Sequence, residues 1–278
     1  MRTLLVGINA KYVHTNLAIR NIAAYLKDED ISIYEATIND HVDGTLEYIV
    51  SFNADVIGFS CYLWNIEEVL YLAENIKKIR PETVIVLGGP EVSYDAEDLL
   101  KARPQIDYVI LGEGEERFGK LLKALGGKLL LASIDGIAYR NGSIIVVNPP
   151  KGYVDLNSIS FSYADENLEN KLVYYETSRG CYFRCAFCLS SLESHVRFVD
   201  LEKVRQDFLR FAQMGVKVVK LVDRSFNCNL KRALELLEVI RELPGSTVFH
   251  CEVNPELVNE EFINGLKGLE DRLQFEVG

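Results

Sequence analysis

No stretch of this sequence approaches the roughly 18 uninterrupted apolar residues of a membrane span, and the apolar run within MRTLLVGINAKYVHTN is too short for a secretion signal. Both absences point to a cytoplasmic chain without a membrane partner. Positive charge is also scarce: 41 acidic against 30 basic residues give a formal charge of −11, with no basic stripe, which disfavours nucleic acid as substrate or partner. Long tracts of Pro, Gly, Gln or like charge are missing as well. With 48% apolar and 26% charged residues, the composition is that of a folded globular protein. Its 278 residues are enough for two α/β domains, each with its own core.

What is present is an alternation. TLLVGIN at 3–9 precedes a polar loop and the helix-like LAIRNIAAYL, and the pattern recurs with IYEATI, VIGFSCY, TVIVLGG and YVILGEG. Five strands alternating with helices predict a doubly wound, five-stranded parallel sheet whose strand ends feed a ligand crevice. GIAYRNGSIIVVNPP breaks the rhythm, and its Asn141-Gly142 between two β-rich runs signals a hairpin. A polar, irregular connection follows. From 172 the alternation resumes with LVYYETS, KVVKLVD, TVFHCEV and RLQFEVG, three helices intervening, as in the first part of a β/α barrel. The expected domains are therefore 1–135, a hairpin and linker at 136–170, and an incomplete barrel at 171–278. A fourth strand left without a covering helix suggests a truncated chain.

Six cysteines are present, and Cys181, Cys185 and Cys188 fall together directly after LVYYETS and the turn residue Gly180. In a cytosolic chain such clustering points to metal or redox chemistry rather than structural disulfides. Three thiolates on a 4Fe-4S cluster leave one iron open to a chelating small molecule. The alternatives are a set of buried unreactive thiols and a zinc site, which would need a fourth ligand, for which His195 is the nearby candidate. Cys228 and Cys251 read as buried apolar side chains.

The CxxxCxxC loop, with Phe187 immediately before its third cysteine, resembles the signature of the radical S-adenosylmethionine (SAM) superfamily. The resemblance implies a 4Fe-4S cluster held by the three cysteines and SAM bound at the open iron. One electron from an external donor would then cleave SAM to methionine and a 5′-deoxyadenosyl radical. It also implies SAM contacts from Phe187, from Asp223, Arg224 and Asn227 after the second barrel strand, and from Glu252 and Glu276 at the third and fourth. Ordinary turn and capping chemistry also accounts for Asp223, Arg224 and Asn227, and surface or salt-bridged carboxylates for Glu252 and Glu276.

An amino-terminal five-stranded α/β domain before such a core resembles the cobalamin-binding (B12) class of the superfamily. Its implied cobalamin contacts are Asn9, Ala10 and Lys11 after the first strand, and Ser60 and Tyr62 after the third. Gly88, Gly89, Pro90 and Ser93 follow the fourth, and Gly112, Glu113 and Gly114 the fifth. Paired glycines admit a large ligand to the backbone, and serine hydroxyls can bond its polar groups; each motif alone is also an ordinary turn or helix start. The Asp-x-His-x-x-Gly motif that supplies a histidine to cobalt in many cobalamin domains is absent, because the first loop reads Asn9-Ala10-Lys11-Tyr12-Val13-His14. The expectation is a cobalt without histidine, with His41 on the surface and His14 a candidate for the corrin rim.

The resemblance implies a cobalamin-dependent methyltransferase acting at an unreactive carbon or phosphorus centre of an unknown substrate. Two alternatives stay open. One is radical rearrangement or sulfur insertion by an enzyme whose first domain does not use cobalamin; the other is a catalytically incomplete chain that only binds.

Overall fold

The structure is a computed structural model, and it describes residues 1–163, 168, 170–192 and 195–277. The polar connection of the sequence reading thus lies partly outside the described residues. The chain divides into two compact units: Met1–Tyr12 with Asn16–Tyr163, and Val13–Thr15 with Ala164–Gly278.

Unit 1 begins with five strand-helix repeats: β1 (Thr3–Asn9), α1 (Leu17–Tyr25), β2 (Ile31–Thr37), α2 (Val42–Phe52), β3 (Val56–Ser60), α3 (Ile66–Ile79), β4 (Val84–Gly88), α4 (Ala96–Ala102), β5 (Tyr108–Ile110) and α5 (Glu115–Leu125). A hairpin, β6 (Ile137–Asn141) and β7 (Ile144–Asn148), completes the sheet in the order β2-β1-β3-β4-β5-β6-β7. The first five strands are parallel, as predicted. The hairpin turns at Gly142, whose φ of 62° suits the tight turn that Asn-Gly signalled. It does more than close the domain, since β6 pairs antiparallel with β5 and extends the sheet by two strands.

Strand alternation divides the apolar side chains between two cores. Leu4, Val6, Ile8, Ile57, Phe59, Ile85 and Leu87 pack with Ile49, Val69, Leu72 and Leu100 of α2, α3 and α4. On the other face Leu5, Val56, Val86 and Ile110 meet Ile19 of α1 and Phe118, Leu121 and Leu122 of α5. A sheet covered on both faces explains why every residue of β1 is buried.

Unit 2 holds β8 (Leu172–Tyr175), β9 (Ser178–Arg179), β10 (Arg197–Phe198), α6 (Leu201–Gln213), β11 (Val218–Leu221), α7 (Leu230–Glu242), β12 (Val248–Val253), α8 (Glu260–Gly265) and β13 (Leu273–Val277). Its four long strands form a parallel sheet in the order β13-β12-β11-β8, with helices between successive strands as in β/α barrels. A short antiparallel β9-β10 ladder stands apart, pairing Ser178 with Phe198. At the β8 edge His14 forms a bridge to Leu172, so Val13–Thr15 belong to this unit although they come from the loop after β1.

In unit 2 the alternation separates chemistry from core. Val173, Tyr175, Val219, Leu221, Phe249 and Cys251 are buried, and Phe208 meets the Phe249 ring at 4.4 Å. The opposite face carries Tyr174, Lys220, His250, Glu252 and Glu276, all in less buried positions. No described helix is long and apolar enough to cross a membrane.

Candidate functional site

In unit 1 the strand order places the change of winding direction between β1 and β3, where open α/β sheets form a crevice beyond the strand ends. Side-chain amides line it. Asn16 caps α1 by accepting from the Ile19 N–H, and its Nδ2 donates to Ser60 Oγ at 2.9 Å and Asn9 Oδ1 at 3.3 Å. Only glycine at position 7 leaves room for it: a Cβ there would lie 2.8 Å from Asn16 Nδ2. Asn65 donates to the carbonyls of Ile8 and Ser60, both at 3.0 Å, and accepts from the Tyr62 N–H at 2.8 Å. Asn9, Ser60 and Tyr62 are thereby drawn into one hydrogen-bonded group whose organisers, Asn16 and Asn65, the sequence reading did not single out.

Beside this group Tyr62 and Trp64 stack at 4.5 Å with planes 5° apart, and Trp64 donates its indole N–H to the Ile8 carbonyl at 3.2 Å. The hydrogen bond fixes a ring that stays 49% exposed. A single tryptophan just after a predicted strand was the available signal for it.

At the end of β4, Gly89 has a φ of 113°, and a Cβ would lie 2.4 Å from the Cys61 carbonyl oxygen. Cys61 N–H donates to the Gly88 carbonyl at 2.7 Å and Ser93 Oγ to the Gly89 carbonyl at 2.7 Å, so these chain ends are stitched together. At the end of β5, Glu113 Oε2 accepts from the Val154 N–H at 2.8 Å, while buried Arg117 bonds the Glu113 carbonyl and pairs with Asp135 at 2.9 Å. Gly112 (φ 69°) and Gly114 flank Glu113. Lys11 and Pro90 are exposed and Ala10 is half-buried.

A corrin suits this edge chemically. Its broad, largely apolar ring matches the aromatic stack, and glycine backbones at two strand ends permit close approach. Of the two histidines considered, His41 is exposed at the start of α2, and His14 has its ring edge-on to Tyr174 at 5.7 Å.

In unit 2 the chain leaves β9, carries the three cysteines and returns at β10. All six cysteines of the chain are free. Cys181 is half-buried, Cys185 and Cys188 are exposed, and the apolar Phe187 is 93% exposed. Hydrogen bonds from Ser190, then the Arg224 charge, hold the Cys188 thiol below its ordinary range. Burial acts oppositely elsewhere, pushing Cys61 up to about 12, Cys228 up to about 11, and Cys251 well above the usual value. Among the described residues no three His, Cys, Asp or Glu side chains already converge on one metal position. The fit of an iron–sulfur cluster therefore rests on the donors: three free, accessible thiols on one loop, one of them biased toward thiolate.

The remaining expected SAM contacts divide by burial. Asp223 is buried and accepts from the Thr177 N–H at 2.7 Å, from Ser178 Oγ at 2.8 Å and from the Thr177 hydroxyl. Asn227 is also buried; it accepts from the Asn254 N–H at 2.9 Å and donates to the Asn254 carbonyl at 2.8 Å, joining the ends of β11 and β12. Arg224 is exposed. Glu276 pairs with Lys220 at 2.9 Å, which holds its carboxyl below the usual range, and Glu252 lies 3.9 Å from the same ammonium. His250 joins them at 3.7 Å from Glu276, its own pKa lowered first by burial and then by Lys220.

Two family models match the chain, the B12 binding domain over residues 3–122 and the radical SAM superfamily over 175–277. An uncharacterised methyltransferase of Pyrococcus horikoshii is 27% identical over 79% of this chain and 51% of its own length. The cobalamin-dependent radical SAM methyltransferase TokK of Streptomyces tokunonensis is 27% identical over 87% of this chain and 36% of its own. The chain thus spans about half or less of these relatives. Among solved structures, the cobalamin-dependent SAM radical enzyme OxsB, with aqua-cobalamin and SAM bound, superposes with a TM-score of 0.83 at 19% identity. That match covers 100% of this chain and 44% of OxsB, and shows a shared fold.

Proposed function

Because this chain belongs to the radical SAM superfamily, in the class with an amino-terminal B12-binding domain, we propose that it serves a cobalamin-dependent methyl transfer to an unactivated centre. The observation that carries this reading is the placement of the cysteines: three free thiols share one loop, with Cys185 and Cys188 exposed, whereas Cys61 and Cys251 are buried. The bound groups supply one-electron cleavage of SAM, with the electron from an external donor, and a carrier for the methyl group.

The chain's own residues bind and orient. Cys181, Cys185 and Cys188 would hold the cluster and leave one iron for SAM, and the exposed Phe187 ring and Arg224 cation would be open to SAM contact. Glu252 and Glu276, near the ends of adjacent strands, keep partly exposed carboxylates for the polar groups of SAM. Asp223 and Asn227 engage their polar atoms inside the protein and are weaker candidates for direct contact. In unit 1 the Tyr62–Trp64 stack and the backbones at Gly88, Gly89, Gly112 and Gly114 would receive the corrin, and Lys11 and Ser93 would offer polar groups to it. Without the Asp-x-His-x-x-Gly motif after β1, cobalamin would be held here with no histidine ligand to cobalt. Residues 1–135 act as the cobalamin domain, 136–170 as hairpin and linker, and 171–278 as barrel. Free thiols suit the reducing cytoplasm.

Anaerobic reconstitution with iron and sulfide, followed by cobalamin titration, tests the reading. A broad iron–sulfur absorption and a saturable corrin spectrum are expected. A cluster without corrin binding would overturn the cobalamin-dependent part, and failure to form a cluster would overturn the whole.

A further inference from the structure

We propose that Asp223 and Arg232 form a paired clamp on the two roots of the cysteine loop and so position that loop to take up its cluster. The inference rests on the iron–sulfur reading above.

The loop leaves unit 2 through Thr177 to Arg179 and returns through Arg197 to Val199. At the outgoing root Asp223, 3% exposed, receives the Thr177 N–H, the Thr177 hydroxyl and Ser178 Oγ, with the Ser178 backbone as a further donor. A carboxylate has about four lone-pair positions, and the loop root fills them all. Little is left for a small-molecule ligand. At the returning root Arg232 donates to the Val199 carbonyl, and its guanidinium carbon lies 5.9 Å from the centre of the Phe198 ring. The roots also meet each other: Val199 N–H donates to the Thr177 carbonyl at 2.9 Å, and Ser178 pairs with Phe198 in the β9-β10 ladder.

The two clamp residues act on opposite roots, and the Val199 N–H bond to the Thr177 carbonyl joins those roots. Asp223 follows β11 and Arg232 lies in the first turn of α7, so both rest on the rigid part of unit 2. Cys181 comes three residues after Ser178. Movement at the root therefore passes to the first cysteine with little chain to absorb it, whereas Cys185 and Cys188 sit in the exposed part of the loop. The device separates tasks: a buried root sets where the loop is, and the exposed stretch presents Cys185 and Cys188 to the cluster.

The test compares anaerobic iron–sulfide loading of the full chain in wild type, Asp223→Asn, Ser178→Ala and Asp207→Asn. Asp207 is an internal control: it is as buried as Asp223 and bonds Tyr175 of β8 and Lys203, not the loop roots. Iron bound per chain and the rate of iron release to a chelator are read beside far-UV circular dichroism of the apo-protein. Asp223→Asn is expected to speed release about tenfold, the scale of a lost charged hydrogen bond, and Ser178→Ala about threefold. Asp207→Asn should lower the melting temperature while leaving release near the wild-type rate. Equal release from wild type and Asp223→Asn overturns the clamp, as does an Asp207→Asn effect matching that of Asp223→Asn. A wild-type chain that takes up no cluster overturns instead the reading on which the clamp rests.

Discussion

The strand ends of the two units solve opposite problems. In unit 1 the polar side chains at the crevice are paired with one another: Asn16 holds Asn9 and Ser60, Asn65 holds the Ile8 and Ser60 carbonyls, and Ser93 holds Gly89. What remains for a ligand is shape, glycine backbone and an aromatic stack. In unit 2 two of the three loop thiols are exposed, and the root of their loop is tied down by buried Asp223. Unit 1 thus presents a preformed surface suited to a large rigid ligand, which costs little ordering on binding. Unit 2 presents donors that must gather around a metal.

The largest expected effect attacks the unit 2 side of this contrast. Replacing Cys185 by alanine should abolish the iron–sulfur absorption on reconstitution while leaving the far-UV spectrum unchanged, since the residue is exposed and supports no core. Retention of the cluster would count against the ligand assignment.

Next comes Gly89→Ala in unit 1. A side chain at φ 113° that must also sit 2.4 Å from the Cys61 carbonyl is expected to cost about 3 kcal/mol or more and to weaken corrin binding in a cobalamin titration. An unshifted denaturation midpoint would show that the β3 and β4 ends are not preformed.

A third prediction concerns the thiols directly. Thiolate is the reactive form, so a lowered pKa brings reactivity in at lower pH and a raised one delays it. At pH 8 only about a thousandth of Cys228 would be thiolate, given a pKa pushed up to about 11, and Cys61 still less. Alkylation of the apo-protein followed by peptide mass mapping should label Cys188 at least about a hundredfold faster than Cys61, Cys228 or Cys251. Comparable rates would erase the distinction between cluster thiols and inert ones.

The smallest effect is expected from Trp64→Ala. Half of the residue is exposed, so stability should fall by about 2 kcal/mol. Corrin affinity should drop about tenfold if the stack is the platform it resembles. Unchanged affinity would move the ligand surface elsewhere on the edge.

Much of this organisation is legible along the chain because it is local. The strand-helix alternation follows from side-chain period, the β6-β7 turn from the tolerance of Asn-Gly for positive φ, and the cysteine loop from spacing alone. Less legible are matters of which distant segment arrives beside which. Nothing in Asp223 or its neighbours reveals that Thr177 and Ser178 supply its donors, and nothing in Asn16 reveals that Gly7 makes room for it. The assignment of Val13–Thr15 to unit 2 is of the same kind, because a bridge to Leu172 depends on an unpaired strand edge far along the chain.

The sequence by itself determined two α/β units, a hairpin between them in order, and a loop with three thiols spaced for one cluster, since period, turn chemistry and ligand spacing act over a few residues. The tertiary structure alone decided that the hairpin extends the first sheet and that the polar residues at its crevice bond one another. It also decided that Asp223 faces the root of the cysteine loop. Each of these depends on burial, which compels polar groups to find partners wherever the fold brings them, whatever their distance in sequence.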